Sequence, residues 1–204
     1  MEETQSGRTD WRRFAVAVGV PAIVAGGLVL ALAEGALAAN FTVSGKPFKL
    51  SADKLAGEGF TQYQSDLSTA DEKAGPDGTI PAAMSGIRSA DLWGLCQSVA
   101  VGPVTLRIEA GDDPDHPVHA DNLLIGMSSL GGNATFEDIQ IGLDASTLTG
   151  DGAESHGEAL SFGQQARTVT IENLRQEAYY TSASTFTLNG MSLTLHLGGS
   201  HECY

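Results

Sequence analysis

Twenty consecutive residues without a charge, Phe14 to Ala33, directly follow Trp11-Arg12-Arg13, and no other feature constrains the chain as much. At about 1.5 Å per residue, a helix of that length matches the hydrocarbon core of a bilayer. Arg12 and Arg13 hold the preceding residues on the cytoplasmic side by the positive-inside rule. The expected layout is a cytoplasmic n-region over 1–13, a single-pass transmembrane helix over 14–38 and an extracytoplasmic domain over 40–204. The alternative is secretion: Ala36-Leu37-Ala38 has the A-x-A form of a cleavage site, which would leave Ala39 or Asn40 first. A signal h-region is usually about 7–15 residues, which favours the anchor. The paired arginines also match a twin-arginine signal loosely.

Within the run, Ala15, Gly19, Ala22 and Gly26 recur at spacings of four, three and four. That places small residues on one helix face, where a second copy or another membrane protein can approach closely. Apolar segments rich in Ala and Gly show the same spacing without any partner. Membrane lipid is the partner that the run itself implies.

Beyond Asn40 the chain carries 8 Lys+Arg against 21 Asp+Glu, out of a total net charge of −14. Nucleic acid is excluded as a partner, because phosphate binding needs a cationic stripe. The 25 glycines have no fixed period and read as turns.

The exported part alternates instead of running apolar. Val104, Leu106 and Ile108 alternate with Thr105, Arg107 and Glu109; Val169 and Ile171 with Thr168, Thr170 and Glu172; Leu193, Leu195 and Leu197 with Thr194 and His196. Each reads as a strand with its apolar face buried and its polar face wet. Phe136, Ile139 and Ile141 suggest a less regular strand. Asn189-Gly190 between two such runs predicts a hairpin over 184–198. Residues 65–82, 111–117 and 144–165 read as loops. Helical periodicity with caps is missing from the exported part. The expected fold is an all-β domain, a sandwich or an elongated twisted sheet. A β-solenoid is second, on a weak echo of Ala52-Asp53, Ala90-Asp91 and Ala120-Asp121.

Cys96 and Cys203 are the two cysteines. An even count on the exported side favours a disulfide; two buried free thiols are the alternative.

The densest polar cluster is Asp112, Asp113, Asp115, His116, His119 and Asp121. Carboxylates at this density suit Ca²⁺, but the glycine and terminal glutamate of an EF-hand loop are absent and prolines interrupt the stretch. It reads as a solvated acidic turn, and no metal or cofactor is assigned. Catalytic motifs fail too: Gly126-Met127-Ser128-Ser129-Leu130 and Gly190-Met191-Ser192-Leu193-Thr194 lack the closing glycine of a nucleophile elbow. No catalytic residue is assigned, although a triad assembled in space needs no such motif. Met127, Leu130, Met191, Leu193, Leu195 and Leu197 form either the core of the sheet or an apolar groove for a lipid tail, with core the commoner case.

Phe48-Lys49-Leu50-Ser51-Ala52-Asp53-Lys54-Leu55, Leu95-Cys96-Gln97-Ser98-Val99, Ala134-Thr135-Phe136-Glu137-Asp138-Ile139-Gln140-Ile141-Gly142 and the ending Glu202-Cys203-Tyr204 together resemble an actinobacterial family of small exported or membrane-anchored proteins of unknown function. The resemblance runs from about Phe41 to the end. Members often carry the label cholesterol esterase, which the missing nucleophile motif does not support here. It implies a Gram-positive envelope location and transfers no catalytic residues. The expected role is a non-enzymatic envelope protein, a structural or binding subunit able to self-assemble. A lipid- or sterol-binding carrier or an ester hydrolase is the alternative.

Overall fold

The computed structural model describes residues 42–69, 75–150, 155–198 and 201–204. The expected transmembrane helix over 14–38, with its Ala15, Gly19, Ala22 and Gly26 face, lies outside these residues. Among the described residues no helix is long and apolar enough to cross a membrane.

The domain is all-β. Its strands are β1 (Thr42–Val43), β2 (Phe48–Thr69), β3 (Thr79–Trp93), β4 (Leu95–Val101), β5 (Val104–Ala110), β6 (Val118–Glu137), β7 (Gln140–Asp144), β8 (Phe162–Ser182), β9 (Thr185–Thr187) and β10 (Ser192–Leu197), with one 3₁₀ turn at Ala145–Thr147. The strands form one sheet that closes on itself through β2, β3, β6 and β8, each antiparallel to its neighbours. This is a closed barrel with extra strands rather than two stacked sheets or a solenoid.

Four strands would ordinarily enclose almost nothing. The barrel works because it is strongly sheared. One circuit runs Gln64–Ala83–Met127–Ala178–Phe48 and returns to β2 sixteen residues upstream of its start. At about 3.3 Å per residue and about 4.8 Å between strands, this is roughly 53 Å along the strands against 19 Å across them, a tilt of about 70°. The long strands therefore wind around the axis instead of spanning it. The circumference, roughly 55 Å, is comparable to that of an eight-stranded barrel, and closing the ring removes the edges of its four strands. Leu50, Leu55, Phe60, Ile87, Val118, Leu123, Val169 and Leu174 fill the interior.

Two seams interrupt the pleat. Asp53, Gly94 and Asn173 drop out of their ladders at one level, and Gly59, Arg88 and Arg167 at the other. Gly59, Gly94, Asn122 and Asn173 all have φ between 49° and 69°. A left-handed residue inside a strand turns the following side chains to the opposite face. In β2 the inward set passes from Leu50 and Ala52 to Leu55 across Asp53, whose neighbours Gly94 and Asn173 are the left-handed residues of that seam. It then passes to Phe60 across the left-handed Gly59. At Gly94 the requirement for glycine is double, since a Cβ there would meet Asp53 Oδ2 at 2.6 Å.

Several expectations need correcting. Residues 65–82 are not one loop: β2 runs on to Thr69 and β3 begins at Thr79. Residues 184–198 are not a hairpin either. β9 pairs with β6 and β10 with β5, and Asn189-Gly190 is a crossover, tied by Asn189 Nδ2 to the Pro117 carbonyl (2.8 Å). Two different partners compete successfully for segments that their local turn chemistry would have paired with each other.

Candidate functional site

β4, β5 and β10 extend the sheet beyond the ring, and their faces are inverted relative to the sequence expectation. Register places Gln97, Val99 and Val101 beside Ile108, Leu106 and Val104, and these beside Leu193, Leu195 and Leu197. This apolar side is outward: Val101 is 54 % exposed, Leu195 69 % and Leu197 84 %. Ser98 and Thr105, on the polar side, are buried. The leucines of β10 are therefore not core.

The reason lies in the tail. Residues 201–204 cross the polar side: the His201 ring stacks on His196 at 4.3 Å, and the Cys203 amide donates to Ser98 Oγ (3.0 Å). Glu202 pairs with Lys49 (2.9 Å), and the Tyr204 ring lies beneath both Lys49 and Arg175, each at 5.4 Å. Cys203 is bonded to Cys96, with Cα atoms 5.8 Å apart, so the two cysteines are brought together as expected and no free thiol remains among the described residues. Polar residues are covered because the tail brings them matching donors, acceptors and charges. Hydrogen bonding to Glu202 and the neighbouring carboxylates raises the Lys49 pKa above its ordinary value. Among the described residues β10 pairs with β5 on one side only, so its other backbone edge has no strand partner there, beside the leucines.

A second feature is a cleft of about 630 Å³ where the far halves of β2 and β3 meet β6 and β8, with no charged side chain among its described lining residues. Ile80, Ala83, Met127, Phe162 and Tyr179 supply much of its wall. Two adjacent bulges shape it. β8 has one extra residue, Tyr179, between the rungs Gly126↔Tyr180 and Met127↔Ala178, and β6 has one, Ser128, before Ser129↔Glu177. Gln62 is fixed in the wall by donating to Ser85 Oγ (3.0 Å) and accepting from Gln164 Nε2 (2.6 Å). Met127 is thus both core and cleft wall, whereas Leu130 and Met191 are exposed elsewhere.

The acidic stretch does not converge. Asp113 accepts from the Asp115 amide and contacts His116 Nδ1 (2.9 Å); both interactions lower its pKa, the histidine first. His119 faces away into the β3–β6 ladder, between Asp91 (2.7 Å) and Asp121 (3.3 Å). No group of three or more His, Cys, Asp or Glu suited to a metal ion occurs among the described residues. Neither Gly-x-Ser stretch gains a histidine partner in the bonds described: Ser128 Oγ donates to the Glu177 carbonyl, and His196 bonds Thr194 Oγ1.

The hydrogen bond to Asp91, followed by the charges of Asp91 and Asp121, raises the His119 pKa above its ordinary value. Protonated His119 therefore binds its proton more tightly in the folded chain than in the unfolded one. The stabilisation is complete below about pH 6.5 and fades as pH rises through the raised folded value. Since the ring is 40 % exposed, solvent screening holds the effect below about 1 kcal/mol. The melting-temperature gap between wild type and His119→Gln should be wider at pH 5.5 than at pH 9. A gap independent of pH would show that the pair is silent.

Residues 44–204 match the model of a family described as a family of unknown function, DUF6230, and the chain belongs to it. Neither a curated protein nor a solved structure matches the chain.

Proposed function

We propose that this member of the DUF6230 family is a non-enzymatic, membrane-anchored component of an actinobacterial cell envelope, and that it works by assembling with further copies of itself through β4, β5 and β10. The observation that carries the reading is the outward leucine row Leu193, Leu195 and Leu197 beside a backbone edge that is unpaired among the described residues. A contiguous apolar face of this kind marks an interaction surface. A lipid surface offers that edge no backbone partners. A second β10 laid antiparallel offers both a completed ladder and a matching leucine row, in a self-complementary contact. Burying a leucine contributes about 1.5–3 kcal/mol, enough over two rows to offset repulsion between acidic surfaces. The charge-free run Phe14–Ala33 supports anchoring, and the Cys96–Cys203 bond supports an oxidising compartment. A lipid-handling role is the second reading, favoured by the uncharged cleft.

Amine-reactive cross-linking of the full chain in its own membranes tests assembly. Wild type should give a dimer or larger species, and Leu195→Asp mostly monomer with an unchanged melting temperature. Equal cross-linking of the two proteins would remove this face from the assembly.

A further inference from the structure

The cleft is not spare volume left by poor packing. Its size falls within the range of small-molecule sites, and two of the three register shifts of the β6–β8 ladder, at Tyr179 and Ser128, occur at its wall. None of the described lining residues is Asp, Glu, Lys, Arg or His, in a chain of net charge −14. A carboxylate, phosphate or ammonium group entering it would lose hydration and meet no counter-charge. An apolar body with a neutral oxygen meets a better match. Met127, Ile80 and Phe162 offer apolar surface, and Gln62, held by Ser85 and Gln164, keeps a second amide N–H for an oxygen acceptor.

Position selects the source. β1 runs parallel to the end of β2, pairing Thr42 with Ser68 and Val43 with Thr69. The chain that follows the apolar run Phe14–Ala33 therefore joins the barrel only a few residues along β2 from Gln62, Tyr63 and Gln64 of the cleft. Phe162 at the rim is 58 % exposed and Leu160 beside it 97 %, which gives an apolar chain a path inward.

We infer that the cleft at Gln62, Ala83, Met127 and Phe162 is a binding site for an uncharged membrane lipid, one with a long hydrocarbon body and a single hydroxyl or carbonyl oxygen as its polar end. The inference is independent of self-assembly, which uses the opposite end of β2 and its neighbours.

The test uses the full chain in its membranes and three photoreactive probes with one hydrocarbon chain: a long-chain alcohol, the matching carboxylate and the matching phosphate. The alcohol should label peptides carrying Tyr63, Ala83 or Met127, with the two anions about tenfold weaker. Ala83→Trp, which fills the cleft, should abolish that labelling. Phe162→Ala, at an exposed position that leaves the fold intact, should reduce it several-fold. Leu195→Asp should keep it, which separates failure of this site from failure of the assembly face. Equal labelling by all three probes would overturn the inference. So would adducts confined to β10 peptides, or labelling that Phe162→Ala leaves unchanged.

Discussion

Replacing Cys203 with serine should lower the melting temperature of the domain by about 5–15 °C without unfolding it. The bond to Cys96 closes a sequence separation of 107 residues, and losing a native disulfide from a small secreted domain costs about 2–5 kcal/mol. For a domain of this size each kcal/mol shifts the midpoint by about 2–4 °C. Folding should survive, because Lys49 still holds Glu202 and Tyr204, and the barrel core does not depend on the tail. Thermal unfolding of wild type and Cys203→Ser, with and without reductant, reads this directly. Reductant should bring wild type down to the variant and leave the variant unmoved. Equal midpoints without reductant would mean that the Cys96–Cys203 bond contributes nothing to stability.

The second large effect is expected at Gly111, where β5 ends. Its φ is +73°, and a Cβ would lie 2.9 Å from both the Leu92 carbonyl oxygen and the Val118 backbone nitrogen. Backbone atoms of two barrel strands cannot withdraw as a flexible side chain can. Gly111 also holds the crossover, accepting from the Gly94 amide and donating to the Asn189 carbonyl. Gly111→Ala should cost about 3 kcal/mol or more, as left-handed strain and the clash add. Gly102 is the internal control, with φ +60° and nothing within 4 Å of the added Cβ. Gly102→Ala should cost only the strain, about 1–2 kcal/mol. Urea denaturation of the two variants separates the terms, and equal losses would deny the close approach at Gly111.

Part of this fold was legible in the sequence, and the failures have physical causes. β5, residues 168–172 of β8 and β10 show clean alternation because none of these runs contains a left-handed residue. In β2, Asp53 and Gly59 reset the inward side twice within one strand. No single period runs through it, and its end reads as loop. Alternation also reports that a strand has two different faces, not which face is covered. For Leu193–Leu197 the apolar face was assigned to the core, but the cover is a tail carrying Glu202, Cys203 and Tyr204, which matches the polar side. The disulfide was legible because two cysteines leave only one intramolecular pairing. The cleft was not, since the register that brings Gln62, Met127 and Tyr179 together arises only when a sheet with a displacement of sixteen residues closes.

That displacement also sets the order in which the ring can form. The β2–β3 ladder begins between Ser68 and Thr79, next to its own turn, and can zip outward from there. The β2–β8 ladder runs from Tyr63 with Gly163 to Phe48 with Ala178, so even its nearest rung closes a loop of about a hundred residues. Loop-closure entropy weighs most on that second step, and chains dominated by such distant pairings fold slowly. A nascent chain therefore carries the outer edge of β2 unpaired until β8 arrives. Arrival of that one strand, not the zipping of the hairpin, is the expected kinetic bottleneck between a sticky open ribbon and a sealed ring.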